Sequence, residues 1–226
     1  RKRYLPLKTN WKNSGNRCKT LSRGRGILFV ISGPSGVGKG TVLKRVCEDM
    51  KDISVNVSVT TRKPREGEID GVHYYFITKE RFRELVESDG MYEYVEAFDT
   101  GYGTPRKEVD DKLSRNEDVI LEIETTGAEN VRKKHQCVSI FIVPPDLTEL
   151  KRRLEDRKTE TKEQIAKRMA KCKKELPCAY DYDYVVLNDD LDSCVRKVDA
   201  IIEAERQKVS RNIKNIDKII LGHKDL

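Results

Sequence analysis

The chain has 226 residues, 37% hydrophobic and 37% charged, enough for one ordinary domain with its own core. No apolar run reaches the roughly 18 residues a membrane-spanning helix needs. The formal charge of +7 suggests a nucleic-acid partner, but its distribution argues against one. Residues 1–25 hold nine basic residues and no acidic one, which leaves 36 basic against 38 acidic residues in the rest, a net of −2.

That leader has no apolar periodicity. It reads as a flexible segment or, being Arg-rich and free of acid, as an organelle-targeting one. The six cysteines, Cys18, Cys47, Cys137, Cys172, Cys178 and Cys194, include no CxxC pair. That argues against a zinc site or disulfide framework and for a reducing compartment. A cytoplasmic location follows, or an organelle if the leader targets.

Ile27 to Ile31 is a continuous apolar run of strand length. A glycine-rich turn follows, then a helical stretch from about Lys39 to Met50. Residues 53–77 alternate and are rich in Val, Thr and Tyr, which predicts short strands around a turn at Lys63 to Gly71. A short helix is expected over Lys79 to Ser88 and a strand over Met91 to Phe98. Val109 to Arg115 reads as helix, Asp118 to Glu124 as strand, and Thr126 to Lys134 as helix. Val138 to Val143 is a buried strand stopped by Pro144 and Pro145. Helices are expected over Leu147 to Leu154 and Lys162 to Leu176, a last strand over Tyr184 to Leu187, and an amphipathic helix over Leu191 to Lys208. Asn212 to Leu221 adds one more helix. Strands that alternate with helices predict an α/β fold with a parallel sheet covered on both faces.

Gly33-Pro34-Ser35-Gly36-Val37-Gly38-Lys39 fits the pattern GxxxxGK, and it sits between a predicted strand and a predicted helix, the context that motif requires. Glycines let the backbone curl around an anion. Successive N–H groups and the helix dipole then supply positive potential, and Lys39 adds a full charge. The residue after Lys39 is Gly40, where a Ser or Thr usually offers magnesium a hydroxyl, and Thr41 follows. This GKGT form resembles that of adenylate kinases. Magnesium is expected with ATP, held mostly by water and phosphate oxygens, with no direct protein ligand assigned beyond Thr41 as a candidate.

From residue 26 to 208 the sequence resembles guanylate kinases. The segments that carry the resemblance are GPSGVGKGT (33–41), SVTTRKPREGEIDGVHYYF (58–76), MYEYVEAFDTGYGTP (91–105), LEIETTGAENVR (121–132), PPDLTELKRRL (144–154) and NDDL (188–191). The resemblance implies a P-loop NTPase three-layer fold, with a parallel core sheet, a GMP-binding subdomain over about 57–107 and a mobile lid over about 152–162. Residues 209–226 are then a helical extension. It implies transfer of a phosphoryl group from ATP to GMP.

Arg62 and Arg65 lie three apart on a turn stiffened by Pro64, and two guanidinium forks suit one phosphate. By resemblance they clamp the GMP phosphate, with Tyr74 and Tyr102 as hydroxyl donors. Guanine presents N1–H and N2–H donors, so a carboxylate reads it best. The resemblance gives that part to Glu93, with Ser58 and Thr104 as hydroxyl partners. Glu122 and Glu124 share one strand face and stand where the family usually has Asp; they orient the phosphate-binding groups or outer-sphere water. Arg153, Arg157 and Arg168 resemble the arginines that close over the transferring phosphoryl. Lys158 replaces the family's usual Gly in that lid. Asn188 resembles the residue that contacts adenine. Lys39, Arg62, Arg153, Arg157 and Arg168 are thus the catalytic candidates.

Two other readings were open to the same residues. A protein-binding scaffold module of this type typically loses the glycine cradle and its lysine, whereas both are kept here. An acceptor such as AMP or a ribose bisphosphate is disfavoured by Ser58 and Glu93. The helix after residue 208 offers a surface for a homodimer.

Overall fold

The computed structural model describes residues 24–97, 99–156 and 161–222. In chain order they form β1 (Leu28–Ser32), α1 (Lys39–Asp49), β2 (Ile53–Val55), β3 (Val59–Thr60), β4 (Tyr75–Phe76) and α2 (Lys79–Glu87). Next come β5 (Met91–Ala97), β6 (Thr100–Pro105), α3 (Arg106–Ser114), β7 (Asp118–Glu122) and α4 (Thr125–Lys134). The chain continues through β8 (Val138–Val143), α5 (Leu147–Asp156), α6 (Lys162–Glu175) and a 3-10 turn at Leu176–Asp181. It closes with β9 (Tyr184–Leu187), α7 (Leu191–Arg206) and α8 (Val209–Gly222).

Five parallel strands make the central sheet, in the order β2-β7-β1-β8-β9. Strand side chains alternate between faces, and β1 is buried on both. Phe29 and Ile31 pack with Val42, Leu43, Val46, Val195, Val198 and Ile202, the inner faces of α1 and α7. Leu28 and Val30 pack with Val109, Leu113, Ala128 and Val131 of α3 and α4. This is the covered parallel sheet that the alternating pattern predicts. A small buried group, Leu150, Leu154, Ile165 and Cys172, joins α5 to α6.

The second sheet runs β4-β3-β6-β5 around its own core of Val59, Phe82 and Met91. β6 lies in a segment with no predicted strand. Its TGYGTP sequence carries the turn-formers Gly and Pro. Pairing overrides that local signal, because β6 is antiparallel to both β5 and β3.

Several element ends differ from the expected ones. β7 stops at Glu122 rather than Glu124, and Glu124 takes the N-cap position of α4 without a side-chain capping bond. Thr161 and Gln164 form a reciprocal capping box that fixes the start of α6. The C-terminal helix begins at Val209, three residues before the predicted start. The leader, Arg157 and Lys158 lie outside the described residues, apart from Gly24 and Arg25.

Candidate functional site

The turn between β1 and α1 is the glycine loop. Gly38 caps α1 with φ 96°, a left-handed conformation that glycine adopts without penalty. A Cβ there would also sit 2.8 Å from Asn188 Nδ2. No side chain caps this helix and no acid lies in its first turn. The end therefore keeps both its unpaired N–H groups and its positive dipole for an anion. Lys39 Nζ donates to the carbonyls of Gly33 at 2.7 Å and Pro34 at 3.4 Å. Burial pushes its pKa down, and Glu122 opposes that shift.

Asn188 is only 5% exposed. Its side-chain Nδ2 donates to the Val37 carbonyl at 2.6 Å, and its backbone carbonyl accepts from Arg153 Nη2 at 3.0 Å. Resemblance gave it an adenine contact; here its amide ties the far end of the chain to the glycine loop. Arg153 also donates to Glu149 at 2.8 Å. Arg168 on α6 donates to the Ser35 hydroxyl at 3.1 Å. Arg157 lies outside the described residues.

A cleft of about 460 Å³ opens beside the loop, lined among others by Lys39, Ser58, Glu68, Tyr74, Glu122 and Glu124. It runs from the carboxyl end of the central sheet to the second sheet, the place where open α/β folds bind ligands. Residues far apart in sequence, Lys39, Ser58, Tyr74, Glu122 and Glu124, thus meet in one cavity. Burial raises the pKa of Glu122, and Lys39 holds it back. A Cβ at Gly40 would have Glu122 Oε2 as its nearest neighbour, at 3.9 Å. The position that lacks the usual hydroxyl therefore faces a carboxylate, a hard oxygen donor suited to magnesium or its waters. Thr41 is exposed on the next residue.

Arg62 stands behind Glu68 and Tyr74, which line the cleft. Its fork donates to both oxygens of Glu68, at 2.6 and 2.7 Å. The guanidinium lies over Tyr74 and Phe76, 5.1 and 5.6 Å from the ring centroids. Tyr74 meets Tyr102 edge-on at 6.0 Å. The Arg62 hydrogen bonds hold the Glu68 carboxyl down at about 2 and raise the arginine further. Arg65 is exposed on the same turn, and its backbone N–H donates to Glu68 at 2.8 Å. Sequence reasoning missed Glu68. Its signal was an acid three residues past the second arginine, in a turn otherwise read for its cations.

Glu93 is 7% exposed. It accepts from Thr104 Oγ1 at 3.0 Å across the β5–β6 pair. Burial pushes its carboxyl up to about 7, against the Thr104 hydrogen bond. The other carboxylate oxygen lies against the first turn of α4, where a Cβ at Gly127 would come within 2.7 Å of it. An alanine at 127 would push the Glu93 carboxylate aside, a contact the sequence alone did not reveal.

The profile of the family described as guanylate kinase matches residues 25–205. A guanylate kinase of Latilactobacillus sakei is 48% identical over 87% of this chain and 98% of its own length. One from Clostridioides difficile is 44% identical over 85% of this chain and 94% of its own. The crystal structure of guanylate kinase from Anaplasma phagocytophilum superposes with a TM-score of 0.71 at 32% identity, covering 86% of this chain and 94% of that one.

Proposed function

The chain belongs to the guanylate kinase family, and we propose that its glycine loop and adjoining cleft transfer a phosphoryl group from ATP to GMP, giving ADP and GDP. It is a nucleoside monophosphate kinase, and the chemistry needs no covalent intermediate. The GMP phosphate is largely ionised near pH 7, so positioning and charge neutralisation carry the reaction. The observation that supports this most is the shared cleft: Lys39 of the phosphate cradle, Ser58 and Tyr74 at the edge of the second sheet, Glu122 at the end of β7 and Glu124 at the start of α4 line one cavity.

In this reading residues 33–41 bind the ATP phosphates, and Lys39 exchanges its carbonyl partners for phosphate oxygens. Arg62 exchanges Glu68 for the GMP phosphate, helped by Arg65, Tyr74 and Tyr102. Glu93, with Thr104 and Ser58, reads guanine. Residues 57–107 form the acceptor subdomain. Arg153 and Arg168, with Arg157 of the lid around 152–162, neutralise charge on the transferring group. Asn188 holds the loop beside the adenine end.

Magnesium brought in with ATP would be held mostly by phosphate oxygens and water, with Glu122, which faces Gly40, as its outer partner on the protein. When bound, it supplies charge neutralisation at the phosphates. Replacing Lys39 by Met tests the cradle. The expected result is a fall in turnover of at least roughly a hundredfold with the melting temperature retained. Near-normal turnover refutes the assignment.

We also assign α8 to pairing with a second copy of the chain. Val209, Ile213, Ile216 and Ile220 are exposed and follow a 4-3-4 spacing, the seam of a self-complementary helix pair.

A further inference from the structure

Arg168 and Lys171 lie three residues apart on α6, hence on one face of that helix. Arg168 reaches the ATP cradle through the Ser35 hydroxyl at 3.1 Å. Lys171 reaches the other side of the cleft: its Nζ donates to Glu124 Oε1 at 2.8 Å and stands 3.6 Å from Glu175 Oε1. One turn of one helix therefore touches the donor loop and a carboxylate that lines the shared cleft.

The two acids around Lys171 differ. The Glu175 side chain is 10% exposed, and its Oε2 is buried with no hydrogen-bond partner. A buried carboxylate is costly without a cation, so Glu175 anchors the Lys171 ammonium at this spot. Glu124 is 75% exposed, so no packing fixes its rotamer. The hydrogen bond from Lys171 sets its direction at the mouth of the cleft.

We propose that Lys171 is a positioning residue that couples the two substrate sites. Its ion pair with Glu124 transmits the placement of α6, which Arg168 and the ATP loop bias, to the GMP side. Glu175 keeps the lysine in place. The proposal rests on the reading of the cleft as an ATP–GMP site. Coupling between sites is a free energy and is reciprocal, so it is measured with ligands alone.

The test is calorimetric titration of GMP with and without saturating ADP, which fills the donor site and donates nothing to GMP. In the native protein ADP is expected to tighten GMP binding. In Lys171→Met that tightening should shrink by about fivefold, the size of an ordinary coupling between neighbouring groups. Lys171→Arg should restore it, and Glu124→Gln should reproduce the loss. A merely structural role moves the melting temperature and leaves the ADP effect alone. An unchanged ADP effect in Lys171→Met, or no ADP effect in the native protein, overturns the proposal. Failure of the native protein to phosphorylate GMP instead overturns the reading of the cleft on which it rests.

Discussion

Replacing Glu93 by Gln should stabilise the protein and impair it at once. The Glu93 carboxyl lies at about 7, raised by burial from 4.5. A difference of about 2.5 units, at about 1.36 kcal/mol each, amounts to roughly 3 kcal/mol against the folded state when the group is ionised. The sign follows from the protons bound. Above pH 7 both states are ionised and the folded one bears the full burial cost. As pH falls from 7 toward 4.5 the folded carboxyl takes up its proton first, and the cost disappears.

Gln at 93 is neutral throughout and keeps an oxygen to accept from Thr104. The variant should therefore unfold at higher denaturant at pH 8, by up to about 3 kcal/mol, and match the native protein near pH 4.5. Function moves the other way. Guanine N1–H and N2–H need two acceptor oxygens, and an amide offers one oxygen and an NH₂ that repels a donor. Leaving such groups mispaired costs about 1–3 kcal/mol, so kcat/KM for GMP should fall roughly tenfold or more. The native protein should lose GMP affinity by about tenfold between pH 8 and pH 6 as the ionised fraction drops, and the variant should lack this loss apart from the phosphate's own ionisation near pH 6. Urea melts at both pH values and initial rates against GMP give both readouts. A Gln variant that is no more stable at pH 8, or one with native kcat/KM for GMP, would show that Glu93 is neither strained by burial nor the guanine reader.

Arg62→Lys keeps the charge and loses the fork, so kcat/KM for GMP should fall roughly ten- to a hundredfold with little change in KM for ATP. A fall below threefold contradicts the clamp. Asn188→Asp turns a donor toward the Val37 carbonyl into an acceptor; chemical denaturation should show a loss of about 1–3 kcal/mol, and KM for ATP should rise while KM for GMP changes little. In light scattering across a dilution series, the native mass should fall with dilution, and Ile216→Lys should hold it at that of one chain.

The parts of the site that were legible in the sequence are local. The seven residues of GxxxxGK mark the turn between a strand and a helix, and the apolar run before them and the helical pattern after them state their own geometry. The parallel sheet was legible because β1 and β8 are apolar at all positions but one each, Ser32 and Ser139, as near-continuous runs in strands covered on both faces are. What escaped depends on contacts across the chain. β6 forms because β3 and β5 flank it, against its own glycines and proline. Glu68 turns back on Arg62 only once the 63–71 turn is built. Asn188 meets Val37 across 151 residues, so no spacing rule could place its amide on the loop. Gly127 reads as an ordinary helical glycine until Glu93 is packed against it.

Initial rates of ADP formation from ATP with GMP, AMP, CMP and UMP decide which nucleotide is the acceptor. A site that reads N1–H and N2–H with a buried carboxylate is expected to give GMP a kcat/KM at least roughly a thousandfold above the others. Comparable rates with AMP would contradict it.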